Sequence, residues 1–360
     1  MKLGTKRFAA IVASAALSVA ALAGCSNGDT PAEESGATPA EETTEPGTDD
    51  GGGAANGNTS ITFLPKNLGN PYFDASYKGI QSATEAFGSS VEEVGPAEAT
   101  ADSQVSYINT ATQQGVGSLL VSANDKAAIC DALVEARDAG IKVVTFDSDT
   151  NVECRDIFVN QADAAGIGKA QVDMVADGIG DKGQIAILSA AANATNQNEW
   201  IDEMKAELEA SHPDIELVEV VYGDDDDQLS FDKTAGLLQT YPDLKGIVCP
   251  TTVGIAAAAR YLSTSDYKGK VVLTGLGTPN QMREYVEDGT VTEFALWNPE
   301  ELGYLSAYAA DALMKGDITG AEGDKFTAGD LGEYEVGADG VVLLGDPYRF
   351  NKDNIDDFDF

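Results

Sequence analysis

The stretch VVTFDSDT, residues 143–150, sets an apolar run directly ahead of two carboxylates, Asp147 and Asp149. A short continuous run of this kind reads as a strand buried on both faces, as in a parallel sheet. The two acids then stand at the C-terminal end of the strand, where open α/β sheets collect their ligands. Two carboxylates at such a place admit three readings: metal ligands, a catalytic pair, or a clamp that accepts hydrogen bonds from something neutral.

Working outward, the same grammar repeats along the chain. ITFLP (61–65) precedes a helical pattern over 71–87, VEEVG (91–95) one over 102–114, and SLLVS (118–122) one over 126–139; KVVTF (142–146) closes this first set. IFVNQ (157–161) leads into a helix over 162–179. QIAILS (184–189), IELVEVVY (215–222), GIVCP (246–250) and VVLTGL (271–276) then alternate with helices over 197–210, 230–240, 253–263 and 279–287. TEFALWNPEELG (292–303) starts as a strand and breaks at Pro299 into a helix over 300–314, and the tail 340–356 holds a last strand. Repeated β-α units mean parallel sheets with helices on both faces. The expected fold is therefore α/β, with two doubly wound parallel-sheet lobes joined by a hinge. The expected boundaries are 60–161 plus 295–323 for the first lobe and 162–294 plus 324–360 for the second. The loops 66–73, 122–126, 147–151, 190–199, 250–254 and 276–280 follow strand ends and are the places to seek a site.

The N-terminus is of another kind. Lys2, Lys6 and Arg7 precede a run of small apolar residues from Phe8 to Ala23. That is the layout of a secretory signal peptide, and the run is short for a transmembrane helix. It ends in LAGC, Leu22 to Cys25, which resembles the bacterial lipobox; the resemblance implies removal of 1–24 and a lipid on Cys25. Residues 26–59 hold no Lys, Arg or aromatic residue. Such a segment cannot bury enough apolar surface to offset its ordering entropy, so 25–59 reads as a lipidated Cys followed by a disordered tether. A coil of about 34 residues reaches roughly 30 Å. The working protein is expected outside the cytoplasm, on the outer face of the cell membrane, touching the membrane through its lipid alone.

Composition narrows the chemistry. With 60 acids against 22 bases the formal charge is −38, which leaves little to neutralise phosphates and argues against nucleic acid. About 300 residues can bury the cores of two lobes. Of the 4 Cys, Cys130 and Cys154 are expected to form a disulfide in an oxidising compartment, and Cys249, in GIVCP, reads as a buried small hydrophobe. His212, in SHPD, is the sole histidine, which disfavours a Ser-His or Cys-His nucleophile. Neither an HExxH, a P-loop nor a CxxC occurs, so no cofactor or metal is expected. The run Asp224–Asp227 lacks EF-hand spacing and reads as a solvated loop. A glycosidase would need its two carboxylates to flank a bond, whereas Asp147 and Asp149 lie together at one strand end. A transcription regulator would need a helix-turn-helix where the signal peptide stands.

With these elements in order, particular segments carry a family resemblance. LPKNLGNPYF (64–73) resembles the opening of ribose-binding proteins, where a polar residue and two aromatics hold a sugar. VSAND (121–125), VVTFDSDT, ATNQNEWIDEMK (194–205), TGLGTPNQMREYV (274–286) and the terminal FNKDNID resemble rhamnose-binding proteins and autoinducer-2 receptors. The chain from 60 to 360 thus resembles the type I periplasmic sugar-binding proteins of ABC importers. The resemblance implies a non-enzymatic, monomeric protein that captures a monosaccharide between its lobes and passes it to permease subunits.

By position, the autoinducer-2 receptor pattern implies roles for Lys66, Asp147, Gln197 and Pro250. Where that pattern has Asp and Ala, this chain has Asn196 and Thr252; those changes in hydrogen bonding and room favour a deoxy-hexose such as L-rhamnose, with autoinducer-2 as the alternative. Gly277 stands where ribose-type relatives carry an Asp, which speaks against ribose. A sugar offers adjacent hydroxyls and an apolar face, suited by carboxylate, amides and aromatic rings. The expected ligand set is Lys66, Asn67, Asn70, Tyr72, Phe73, Asp147, Asp149, Asn196, Gln197, Pro250, Thr252 and Trp297. Asp149 has a second candidate role, as organiser of the loop that carries Cys154.

Overall fold

A computed structural model describes residues 57–360. The expected signal peptide, Cys25 and nearly all of the expected tether lie outside the described residues. Along the chain run β1 (Ile61–Leu64), α1 (Pro71–Phe87), β2 (Val91–Glu93), α2 (Val105–Gln114), β3 (Ser118–Val121), α3 (Cys130–Asp138), β4 (Lys142–Phe146) and β5 (Ile157–Asn160). There follow α4 (Ala164–Ile179), β6 (Gly183–Ser189), α5 (Thr195–Ser211), β7 (Ile215–Tyr222), α6 (Asp227–Thr240), β8 (Leu244–Cys249), α7 (Thr252–Ser263), β9 (Val272–Gly275) and α8 (Pro279–Glu287). The chain ends with β10 (Glu293–Leu296), α9 (Pro299–Lys315), β11 (Lys325–Thr327), β12 (Glu333–Glu335), β13 (Val341–Leu343) and β14 (Tyr348–Asn351).

Two parallel sheets organise these elements. The first has the order β13-β5-β4-β3-β1-β2 and the second β7-β6-β8-β9. β1 and β3 are buried at every position, and β4 at every position after Lys142. That is why they appear in the sequence as unbroken apolar runs rather than alternating ones. Two short antiparallel pairs, β10-β14 and β11-β12, complete the structure.

The boundary expected for the tail needs correction. Residues 324–360 do not all join the second sheet: β13 pairs in parallel with β5 at the edge of the first, Val342 opposite Val159. A parallel strand here covers the open edge that β5 would otherwise present. The chain then returns through β14, which pairs antiparallel with β10, Phe350 opposite Phe294. The expected helix over 126–139 also begins later, at Cys130, because the Asp125 carboxylate accepts from the amides of Ala127 and Ala128 and holds a turn there.

Helices α1 and α9 pack face to face beside the first sheet. A Cβ added to Gly79 would lie 1.8 Å from the carbonyl oxygen of Glu300, and one added to Gly303 would lie 2.0 Å from that of Ser76. These reciprocal glycines let the two backbones approach. Their N-termini are thereby brought together, each started by a Pro and capped by an Asn, Asn70 and Asn298. Cys130 and Cys154 form the disulfide, with Cα atoms 5.3 Å apart, and tie α3 to the loop after β4. Closing a loop of 24 residues stabilises by about 3 kcal/mol on the chain-entropy model. Cys249 is a buried free thiol.

Candidate ligand site between the two sheets

A cavity lies where the C-terminal ends of both sheets converge. From the first sheet's side come Lys66, after β1, Tyr72 and Phe73, from the first turn of α1, and Asp147, after β4. From the second side come Asn196, Gln197 and Trp200 on α5, Asp225 after β7, and Pro250, Thr251 and Thr252 between β8 and α7. Leu276, Leu296 and Trp297 close it where β9 and β10 end.

Asp147 is the hub. It is buried and adopts φ = 60°, the left-handed region that Asp tolerates better than most side chains. Ser122 Oγ donates to Oδ2 at 2.7 Å, Tyr72 Oη to Oδ1 at 3.2 Å, and Lys66 Nζ stands 3.9 Å from Oδ2. Lys66 is only 4% exposed, so its ammonium depends on these partners, and it donates to Asn196 Oδ1 at 2.8 Å. Asn196 Nδ2 donates in turn to Asp147, at 3.2 Å to the carbonyl oxygen and 3.4 Å to Oδ1. The amide of Asn196 accepts from Lys66 and donates to Asp147 at once, which an ionised carboxylate could not do. These bonds join loops of the first sheet to a helix of the second.

The aromatic side is equally connected. Trp297 Nε1 donates to Tyr72 Oη at 2.8 Å, so a chain of donors runs from Trp297 through Tyr72 to Asp147. Burial first, and the Asp147 carboxylate second, push the Tyr72 phenol well above its ordinary value, which keeps it a donor. Tyr72 meets Trp297 edge-on at 6.1 Å between ring centroids, and Trp200 meets Trp297 at 5.8 Å. This gives a rigid aromatic wall.

Of the expected ligand residues, Lys66, Asn70, Tyr72, Phe73, Asp147, Asn196, Gln197, Pro250, Thr252 and Trp297 all line the cavity. Asn70 does so while its side chain caps α1 by accepting from the Tyr72 amide. Asn196 and Gln197 sit inside the first turn of α5 rather than ahead of it. Two residues fall elsewhere. Asn67 is buried but faces a groove at the rim, beside residues 97–101 and 224–226. Asp149 is taken up by Arg155, whose Nε and Nη2 donate to its two oxygens at 2.7 and 2.8 Å; the Thr145 hydroxyl also donates to it. Asp149 is therefore the loop organiser and not part of the cavity wall.

The sequence reading missed Trp200, Thr251, Leu276, Leu296 and Asp225. Trp200 had a signal: Gln197, Trp200, Ile201, Met204 and Leu208 form one buried helical stripe. Asp225 had none, because the run Asp224–Asp227 looks uniformly solvated. The structure divides it. Asp226 caps α6 by accepting from the Leu229 amide, Asp227 pairs with Arg260, and Asp225 turns into the cavity.

Carboxylates, one ammonium, amides and hydroxyls against an aromatic wall form a surface for a small ligand rich in hydroxyls. Residues 61–318 match the family model described as the periplasmic binding protein domain. The chain belongs to this family. It is a sugar-type solute-binding protein of the ABC transporter class, not an enzyme, and the family works outside the cytoplasm. Its fold is the type I periplasmic binding protein fold. A sugar ABC transporter structure from Actinomyces odontolyticus is 56% identical, covering 84% of this chain and 98% of that one, with TM-score 0.69. A solute-binding protein from Clostridium phytofermentas with bound L-rhamnose is 41% identical, with 83% and 98% covered and TM-score 0.81. LsrB from Clostridium saccharobutylicum in complex with AI-2 is 30% identical, with 84% and 100% covered and TM-score 0.79.

Proposed function

We propose that this periplasmic binding protein captures L-rhamnose, or a deoxy-hexose like it, in the cavity between its sheets and delivers it to an ABC permease. The likeness to the L-rhamnose-bound protein, 41% identical over nearly the whole of that chain, carries the choice of sugar. The wall fits such a ligand. Asp147, Asn196 and Gln197 serve hydroxyls, Lys66 donates, and the rings of Tyr72, Phe73, Trp200 and Trp297 take the apolar face with its methyl group. Gln197 Oε1 is buried without a protein partner and is free to accept from a ligand hydroxyl. The two lobes close on the sugar, with Lys66, Asp147 and Asn196 joining across the cleft. We further assign a signal peptide to 1–24, a lipid anchor to Cys25 and a tether to 26–59, with the protein working as a monomer.

A second reading is an autoinducer-2 receptor, favoured by the 30% identical AI-2 complex. Lys66, Asp147, Gln197 and Pro250 suit it; Asn196 and Thr252 do not. Calorimetric titration separates the two: L-rhamnose binds and is not turned over on the first reading. Binding of autoinducer-2 without any binding of L-rhamnose overturns it in favour of the second. Radiolabelled palmitate incorporation, lost in Cys25→Ala, tests the anchor.

A further inference from the structure

Asp225 is the acid in this site with only one of its two oxygens bonded among the described residues. Thr251 Oγ1 donates to its Oδ1. Its Oδ2 accepts no hydrogen bond among the described residues, and the residue lines both the cavity and the groove at its rim. Asp226 caps a helix, Asp227 pairs with Arg260 and Asp224 lies exposed at the rim groove, so of the four only Asp225 lines the cavity. The geometry is supported on both sides, by the Thr251 hydroxyl at the start of α7 and by the turn after β7, where Gly223 and Asp224 amides donate to the carbonyls of Ser189 and Ala190.

Resting on the cleft-binding reading above, we propose that Asp225 is a specificity-determining residue. Its free oxygen accepts from a ligand hydroxyl on the second-sheet side while Asp147 serves the first, so the site selects neutral polyols that offer donors to both lobes and rejects sugars bearing phosphate or carboxylate. The charge balance within the cavity supports this. Asp147 and Asp225 contribute two negative charges and Lys66 one positive, leaving one negative charge in excess where a ligand must sit. An anionic sugar adds repulsion there, whereas a hydroxyl donor satisfies the half-buried Asp225 carboxylate. Burial raises the Asp225 carboxyl above its ordinary value; Thr251 and Lys66 oppose that rise, while Asp147 and Asp224 add to it. Such a carboxyl gains from a ligand that donates to it.

The test is calorimetric titration of the full chain with L-rhamnose, D-allose and D-ribose as neutral probes, and with glucose 6-phosphate and glucuronate as anionic ones. The expected result is binding of at least one neutral sugar and of neither anion. Asp225→Asn, which keeps the shape, and Asp225→Ala should each weaken the neutral sugar about ten- to a hundredfold, the usual worth of a hydrogen bond to a charged group. Neutral-sugar affinity within twofold of wild type in both variants, or an anionic sugar bound as tightly as the neutral one, overturns the assignment of Asp225 alone. A wild-type protein that binds none of the neutral sugars overturns the cleft reading as well. Should both variants fail to fold, the anionic arm on wild-type protein decides by itself.

Discussion

Asp147 accepts from Ser122, Tyr72 and Asn196 and neutralises a lysine that has almost no access to water. Its left-handed φ limits what can replace it; Asn tolerates that conformation, so Asp147→Asn isolates the charge. The expected outcome is a loss of sugar affinity of at least about tenfold, read by calorimetry, since a charge-assisted bond becomes a neutral one. Asp149 gives the opposite result. Its oxygens hold the Arg155 guanidinium, whose side chain is 2% exposed, so Asp149→Ala strands a buried cation and should cost about 3 kcal/mol in a denaturant titration. Sugar affinity should stay within about twofold; a tenfold loss would return Asp149 to the binding surface. Both acids looked alike in the sequence. The strand end placed them near the site, but only the position of Arg155, reached through the turn at Cys154, assigned them different partners.

At the scale of elements, the site depends on how closely α1 and α9 approach. Tyr72 and Trp297, joined by a 2.8 Å hydrogen bond, sit at the N-terminal ends of these two helices. Gly303→Ala forces a methyl group against the Ser76 carbonyl and should destabilise by about 1–3 kcal/mol. Because the Tyr72-Trp297 bond is displaced with the helices, sugar affinity should fall too, although residue 303 touches no ligand. Loss of stability with unchanged affinity would show that the aromatic wall does not rely on this packing. The strands and helices themselves were legible from apolar runs and helical periodicity. The start of α3 was not, since the turn held by Asp125 moves it from 126 to Cys130, and α5 begins at Thr195, two residues ahead of the expected start.

For the whole molecule, the two Trp of the chain, Trp200 and Trp297, both line the cavity, one from α5 and one from the crossing after β10. Intrinsic tryptophan fluorescence should therefore report sugar binding directly, with a saturable change on titration. Trp297→Phe should remove much of that change and also weaken binding, because Tyr72 loses its donor. An emission spectrum indifferent to a sugar that calorimetry shows to bind would place the ligand outside this cavity. One hydrophobic cluster runs from Phe63 and Phe146 in the first sheet, through Trp200 and Trp297, to Leu188 and Leu273 in the second. The cavity wall and the core are thus continuous, and the polar contacts of Lys66, Asp147 and Asn196 join the loops of the two sheets.

The order of β-α units, the parallel sheets, the disulfide partners and most of the wall could be read from VVTFDSDT and the runs around it. Those features follow from local rules: buried strands are continuous and apolar, and ligands gather where such strands end. The path of the tail was not readable, because β13 finds its place by pairing with a distant edge, Val341 opposite Phe158, which no local pattern records. Nor could the acidic run be divided. Four successive aspartates look the same along a chain, and only the folded surroundings, a helix end, an arginine and a threonine hydroxyl, send one of them into the cavity.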